Sequence, residues 1–167
     1  MDNQNYNVTL TVSKTANEVF KSINSVSKWW TENLKGDSEN LNGVFTADFG
    51  NDNFVTHKLI EVVPNQKVMW LVTDCYLSRL KDKTEWANTK MIFEISINDN
   101  KTQISFTHIG LVPEIECYGY VCKRLEPICK RQFAQLNNRW GRTTTKESAI
   151  KNLPPTTKTS SSLQGQR

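Results

Sequence analysis

The stretch "TQISFTHIGL", residues 102–111, decides how the rest of the chain is read. Ile104 and Phe106 alternate with Gln103, Ser105 and Thr107, the period-two pattern of a half-buried β-strand. His108 falls on the apolar parity, so the strand aims an imidazole where it aims its hydrophobic side chains. Gly110 then marks a turn.

Working upstream, "NTKMIFEISIN" (88–98) alternates in the same way, with Met91, Phe93, Ile95 and Ile97 on the inner parity and Glu94 outward. "NDNK" (98–101) joins the two as a tight turn, so they are antiparallel neighbours. Further strands are predicted at 6–13, 43–49, 53–63 and 67–74, with "GND" (50–52) and "PNQ" (64–66) supplying turn chemistry. The result is a six-stranded antiparallel meander. Residues 31–43 read as a loop, and "CYLSRLKDKTEWA" (75–87) as a lid-like loop or a short helix.

After the first strand, Ser13 or Thr15 can cap a helix carrying Ala16, Val19, Phe20 and Ile23 on one face. A second short helical turn, "SVSKWW" (25–30), ends in a tryptophan pair. On a helix two adjacent indoles diverge, so one is expected in the core and the other at the sheet edge. From Pro113 onward Ile115, Tyr118, Val121, Cys122, Leu125, Ile128, Cys129, Phe133 and Leu136 recur at helical spacing, and Pro127 should bend or split that helix near 123–127. Residues 140–167, rich in Ser, Thr, Pro and Lys, read as a disordered tail behind a single domain at 1–139. One open sheet face and one long helix imply a curved sheet wrapped on that helix, with space for a ligand between them.

Composition excludes several classes. The chain has 167 residues and a net charge of +4. Residues 1–139 hold 16 basic and 16 acidic side chains, so all the excess charge lies in the tail. Without a basic face, nucleic-acid binding is not expected. No run approaches the roughly 18 apolar residues of a membrane span, and "MDNQNYNVTL" lacks the features of a secretory signal, so a cytoplasmic protein is expected. The four cysteines (Cys75, Cys117, Cys122, Cys129) have no zinc-ligand spacing and read as reduced, partly buried thiols. No metal or cofactor is expected.

Taken together, the motifs resemble the START-like (SRPBCC) superfamily, in the branch related to the activator of heat-shock chaperone ATPase. They are Ala16, Val19, Phe20 and Ile23; Trp29 and Trp30; Trp86, Thr89, Phe93 and Ile95; and Phe106, His108, Gly110 and Leu111. The likeness spans about residues 5–138. It implies an α+β helix-grip fold with an apolar cavity, used for hydrophobic small molecules such as lipids or polyketides, or for contact with a chaperone.

The candidate ligand-binding residues are Trp30, Trp70, Trp86, Phe93, Phe106, His108 and Tyr118. His108 is read first as a hydrogen-bonded residue closing the sheet, paired with a backbone carbonyl or Glu114. A ligand contact is the second reading. A general base of a cyclase- or hydrolase-like enzyme, with Glu114 or Asp74, is the third. No catalytic residue is assigned. His57 lies on a strand whose two parities are both mixed, so its facing stays open.

Overall fold

The computed structural model describes residues 5–120. The elements run β1 (Tyr6–Val12), α1 (Ala16–Asn24), a 3-10 turn (Val26–Lys28), β2 (Leu34–Gly36), β3 (Val44–Gly50), β4 (Asn53–Val63), β5 (Lys67–Tyr76), β6 (Lys90–Asn98), β7 (Lys101–Ile109) and the helical turn α2 (Glu116–Tyr120). The long helix expected after Pro113, its bend at Pro127 and the tail lie outside the described residues, apart from α2.

All the strands form one antiparallel sheet in the order β1-β7-β6-β5-β4-β3-β2. Seven strands replace the six expected. The addition is β2, three residues of the segment read as a loop, held by main-chain pairing of Leu34–Gly36 with Phe45–Ala47. Backbone pairing needs no alternation of side chains, so a strand this short leaves no hydrophobic pattern. The hairpin turns are built as expected: Asn51–Asp52 and Asp99–Asn100 all take positive φ, the two-residue turn that matches strand twist.

Thr15 caps α1 in a reciprocal box with Glu18, and Val19 and Ile23 enter the core from its inner face. The sheet's inner face carries Val8, Val12, Phe45, Val55, Leu59, Val68, Trp70, Val72, Met91, Phe93, Ile104 and Phe106, all buried. Ile97 shares that parity yet is 72% exposed, beside the tip of the β6–β7 hairpin.

The pairing of β4 with β5 holds two register shifts, and the one within β4 explains why that strand resisted a parity reading. Thr56 pairs with Asp74 but His57 with Val72, which leaves Thr73 as the extra residue. Leu59 pairs with Trp70 but Glu61 with Met69, which leaves Ile60 extra. Each bulge flips the inward parity of the strand that carries it, β5 at Thr73 and β4 at Ile60. Val55, His57 and Leu59 therefore face inward before Ile60, and Val62 packs on the core after it.

The 77–88 segment is neither a free lid nor a helix. Asn53 accepts hydrogen bonds from the Ser78 N–H (2.8 Å) and hydroxyl (3.0 Å). The Lys83 ammonium donates to the carbonyls of Ser78 and Leu80. The Glu85 carboxylate accepts from the N–H groups of Glu116 (2.7 Å) and Cys117 (2.9 Å), so this loop supplies the cap of α2.

Candidate functional site

The candidate residues fall into two groupings on the inner face, bridged by Phe93 and Phe106, whose rings are 4.9 Å apart. The first is at the β7 end. His108 is buried, and its Nε2 lies 2.8 Å from the Thr89 hydroxyl. That hydroxyl spends its only proton on the Trp86 carbonyl at 2.6 Å, so it accepts from His108, and the ring is the Nε2–H tautomer. The Trp86 indole meets the imidazole edge-on at 5.0 Å. Glu114 and Asp74 are both exposed, so neither expected carboxylate partners His108. The partner is a threonine from the family-like W-x-x-T motif, a closed structural arrangement. Gly110 belongs to it: at φ +94° it brings its Cα against Thr89, where a Cβ would stand 2.9 Å from Cγ2. Tyr118 is half-buried, edge-on to Tyr6 at 6.4 Å.

The second grouping is at the β3–β5 end. Trp29 and Trp30 stack on each other at 5.8 Å, 9° from parallel. Both also stack on Trp70, at 6.3 Å and 6.2 Å. The expectation that the pair diverges is corrected: both indoles are half-buried and both lie on one side. The chain leaves the 3-10 turn at Trp29 (φ −132°, ψ −26°), so the 100° rotation between helical neighbours no longer applies. The Trp29 Nε1–H donates to the Ile23 carbonyl at 3.1 Å, which pins the pair to the end of α1.

Behind these indoles lies His57, fully buried. Phe45 stacks on it at 4.8 Å, Trp30 tilts against it at 5.2 Å and Trp70 meets it edge-on at 5.6 Å. Neither ring nitrogen has a hydrogen-bond partner, and neither does the buried Trp70 Nε1. The Val55 backbone slightly favours the charged ring but does not reach hydrogen-bonding geometry. Each orphaned buried polar group costs about 1–3 kcal/mol. Burial, reinforced by repulsion from His108, pushes the His57 ring down to about 3. Burial does the same to His108, also to about 3, so both rings are neutral near pH 7. Phe49, on the inward parity of β3, remains 41% exposed and packs on Trp30 at 5.5 Å, at the rim of this cluster.

Sequence reading missed Phe45, Phe49 and His57 as members of the cluster. The alternation of Phe45, Ala47 and Phe49 was a legible signal for the first two. The bulge at Ile60 hid the third. Cys75 and Cys117 are buried free thiols, both pushed up by burial, Cys117 to about 11. Among the described residues no cluster of His, Cys, Asp or Glu could hold a metal ion, and no helix is long and apolar enough to cross a membrane. A broad open depression of about 1280 Å³ runs along α1 and the 3-10 turn, past Lys14, Asn17, Lys21 and Lys28 to the edges of Trp29 and Trp30. Its lining mixes these polar and charged groups with Phe20 and the two indoles.

No protein-family model and no curated protein matches the chain. Solved structures do. The Aha1 dimer from Colwellia psychrerythraea aligns over 83% of this chain and 99% of its own, with a TM-score of 0.66 at 17% identity. Protein MLL2253 from Mesorhizobium loti gives 0.64 at 14% identity, covering 82% and 98% of the two chains. Protein Ms6760 from Mycobacterium smegmatis gives 0.62 at 10%, covering 86% and 94%. The chain shares the fold of these structures. At these identities the likeness extends to fold alone.

Proposed function

We propose that the protein binds an apolar or amphipathic small molecule, lipid-like or polyketide-like, against the inner face of its sheet. The ligand enters past Trp30 and Phe49. One observation carries the reading: an aromatic column runs from the exposed rim at Phe49 through Trp30 and Trp70 to Phe93, and it encloses polar atoms that have no hydrogen-bond partner among the described residues. Buried polar groups in a closed core are normally paired. Aromatic walls with a few convergent polar groups are the usual lining of small-molecule sites.

Titrating the purified protein with a panel of lipids and aromatic polyketides, followed by tryptophan fluorescence, tests this. Saturable quenching by some members and not others is expected. A flat response across the panel, with an experimental structure whose interior is filled by side chains, refutes it. The enzymatic alternative loses support because His108 bonds Thr89 and packs on Trp86, while Glu114 and Asp74 are both exposed. Contact with a chaperone, the other use the resemblance implies, would engage the sheet's outer face and the 77–88 segment. Chaperone pull-down and ATPase assays test it separately.

A further inference from the structure

From the orphaned pair His57 and Trp70 we infer a polar subsite that takes one neutral hydroxyl group of a flat, otherwise apolar ligand. The inference deepens the small-molecule reading and rests on it. The indole Nε1–H of Trp70 can only donate, whereas a neutral imidazole offers one donor and one acceptor. Both groups are buried and unpartnered, and their ring centres are 5.6 Å apart. A single oxygen that bonds both would sit about 2.8 Å from a nitrogen of each ring. A hydroxyl fits both partners: its oxygen accepts from the Trp70 N–H, and its proton goes to the free nitrogen of His57.

The same geometry selects against other heads. A hydrocarbon leaves both groups unsatisfied. A carboxylate can accept from the Trp70 N–H and from the imidazole N–H, so what opposes it is charge and not hydrogen bonding. Its charge would sit in a box walled by Trp30, Phe45 and Trp70, with no cation among the ring contacts. The parallel indoles Trp29, Trp30 and Trp70 set the shape of the remainder, since flat ring systems stack on such faces. Entry requires Trp30 to swing aside. It is half-buried and flanked by the exposed Phe49, so it is the wall of the box nearest solvent.

The test uses the full chain with three probes of one ring system: naphthalene, 2-naphthol and 2-naphthoate. Affinities come from calorimetry, and the five indole N–H signals are followed by nitrogen-15 NMR. We expect 2-naphthol to bind roughly tenfold or more tighter than either other probe, because a site built to hydrogen-bond a hydroxyl rejects analogues without one. The Trp70 indole N–H, assigned with Trp70→Phe, should move downfield with 2-naphthol only. His57→Phe should abolish the preference while naphthalene binding persists. Equal affinity for naphthalene and 2-naphthol, with saturable binding, overturns the subsite and leaves small-molecule binding standing. A Trp70 signal already hydrogen-bonded in the free protein and unmoved by 2-naphthol marks a fixed water and also overturns it. Failure of all three probes to bind removes the subsite and leaves the broader reading to the lipid and polyketide panel.

Discussion

Lowering the pH from 7 to 5 should destabilise the protein by about 4 kcal/mol, divided between two residues. His57 and His108 are both enclosed, at 0% and 1% exposure, and burial pushes both rings from 6.5 down to about 3. In the unfolded chain each imidazole takes up a proton below its ordinary value near 6.5, whereas the folded protein keeps both neutral. Stability is therefore complete above pH 6.5 and declines as the pH falls toward about 3. At pH 5 the loss is about 2 kcal/mol per histidine, at roughly 1.36 kcal/mol per pH unit below the unfolded value. Solvent screening does not reduce this, because neither ring is exposed. The carboxylates of Glu18, Asp37 and Asp82 are held below their ordinary values by hydrogen bonds from neighbouring groups, so their contribution is lost at lower pH. The assay is urea unfolding at both pH values, followed by tryptophan fluorescence. His57→Phe should halve the difference, and at pH 7 it should be no less stable than wild type, since it removes two orphaned nitrogens while keeping a ring against Phe45. Equal wild-type stability at pH 7 and pH 5, or an unchanged difference in His57→Phe, would refute the assignment of buried neutral rings.

Gly110→Ala should cost about 1–3 kcal/mol in the same unfolding assay, because the residue combines φ +94° with a 2.9 Å approach to Thr89. Its effect should shrink in the Thr89→Ser background, which removes the methyl group that is struck. Glu85→Ala should lose about 1–2 kcal/mol and speed hydrogen exchange at the Glu116 and Cys117 amides, which its carboxylate now accepts from. If exchange there is unchanged, the cap is not formed in solution. Parallel indoles at 5.8–6.3 Å should give an exciton couplet in the far-ultraviolet circular dichroism spectrum. Trp30→Phe should remove most of that couplet and leave the sheet signal; a couplet of undiminished size would show that Trp30 is not part of the stack.

Period-two alternation, Asn/Asp/Gly turns and the capping signal at Thr15 together specify a meander behind one helix. They are local features, so a single sequence displays them. Tertiary structure alone decided three things. Leu34–Gly36 became a strand because β3 offered main-chain partners, which leaves no side-chain signature. His57 faces inward with Val55 and Leu59, and a bulge at Ile60 then resets the parity of β4, which is why its pattern looked mixed. Trp29 and Trp30 came to lie parallel because the chain departs from helical geometry between them and finds Trp70 beneath. The strand "TQISFTHIGL" shows the division of labour. Its alternation sends His108 inward whatever surrounds it, but the hydroxyl that closes that histidine off arrives from Thr89 on another segment. The box that leaves His57 open is assembled from β3, β4, β5 and the turn after α1, and only the folded chain brings them together.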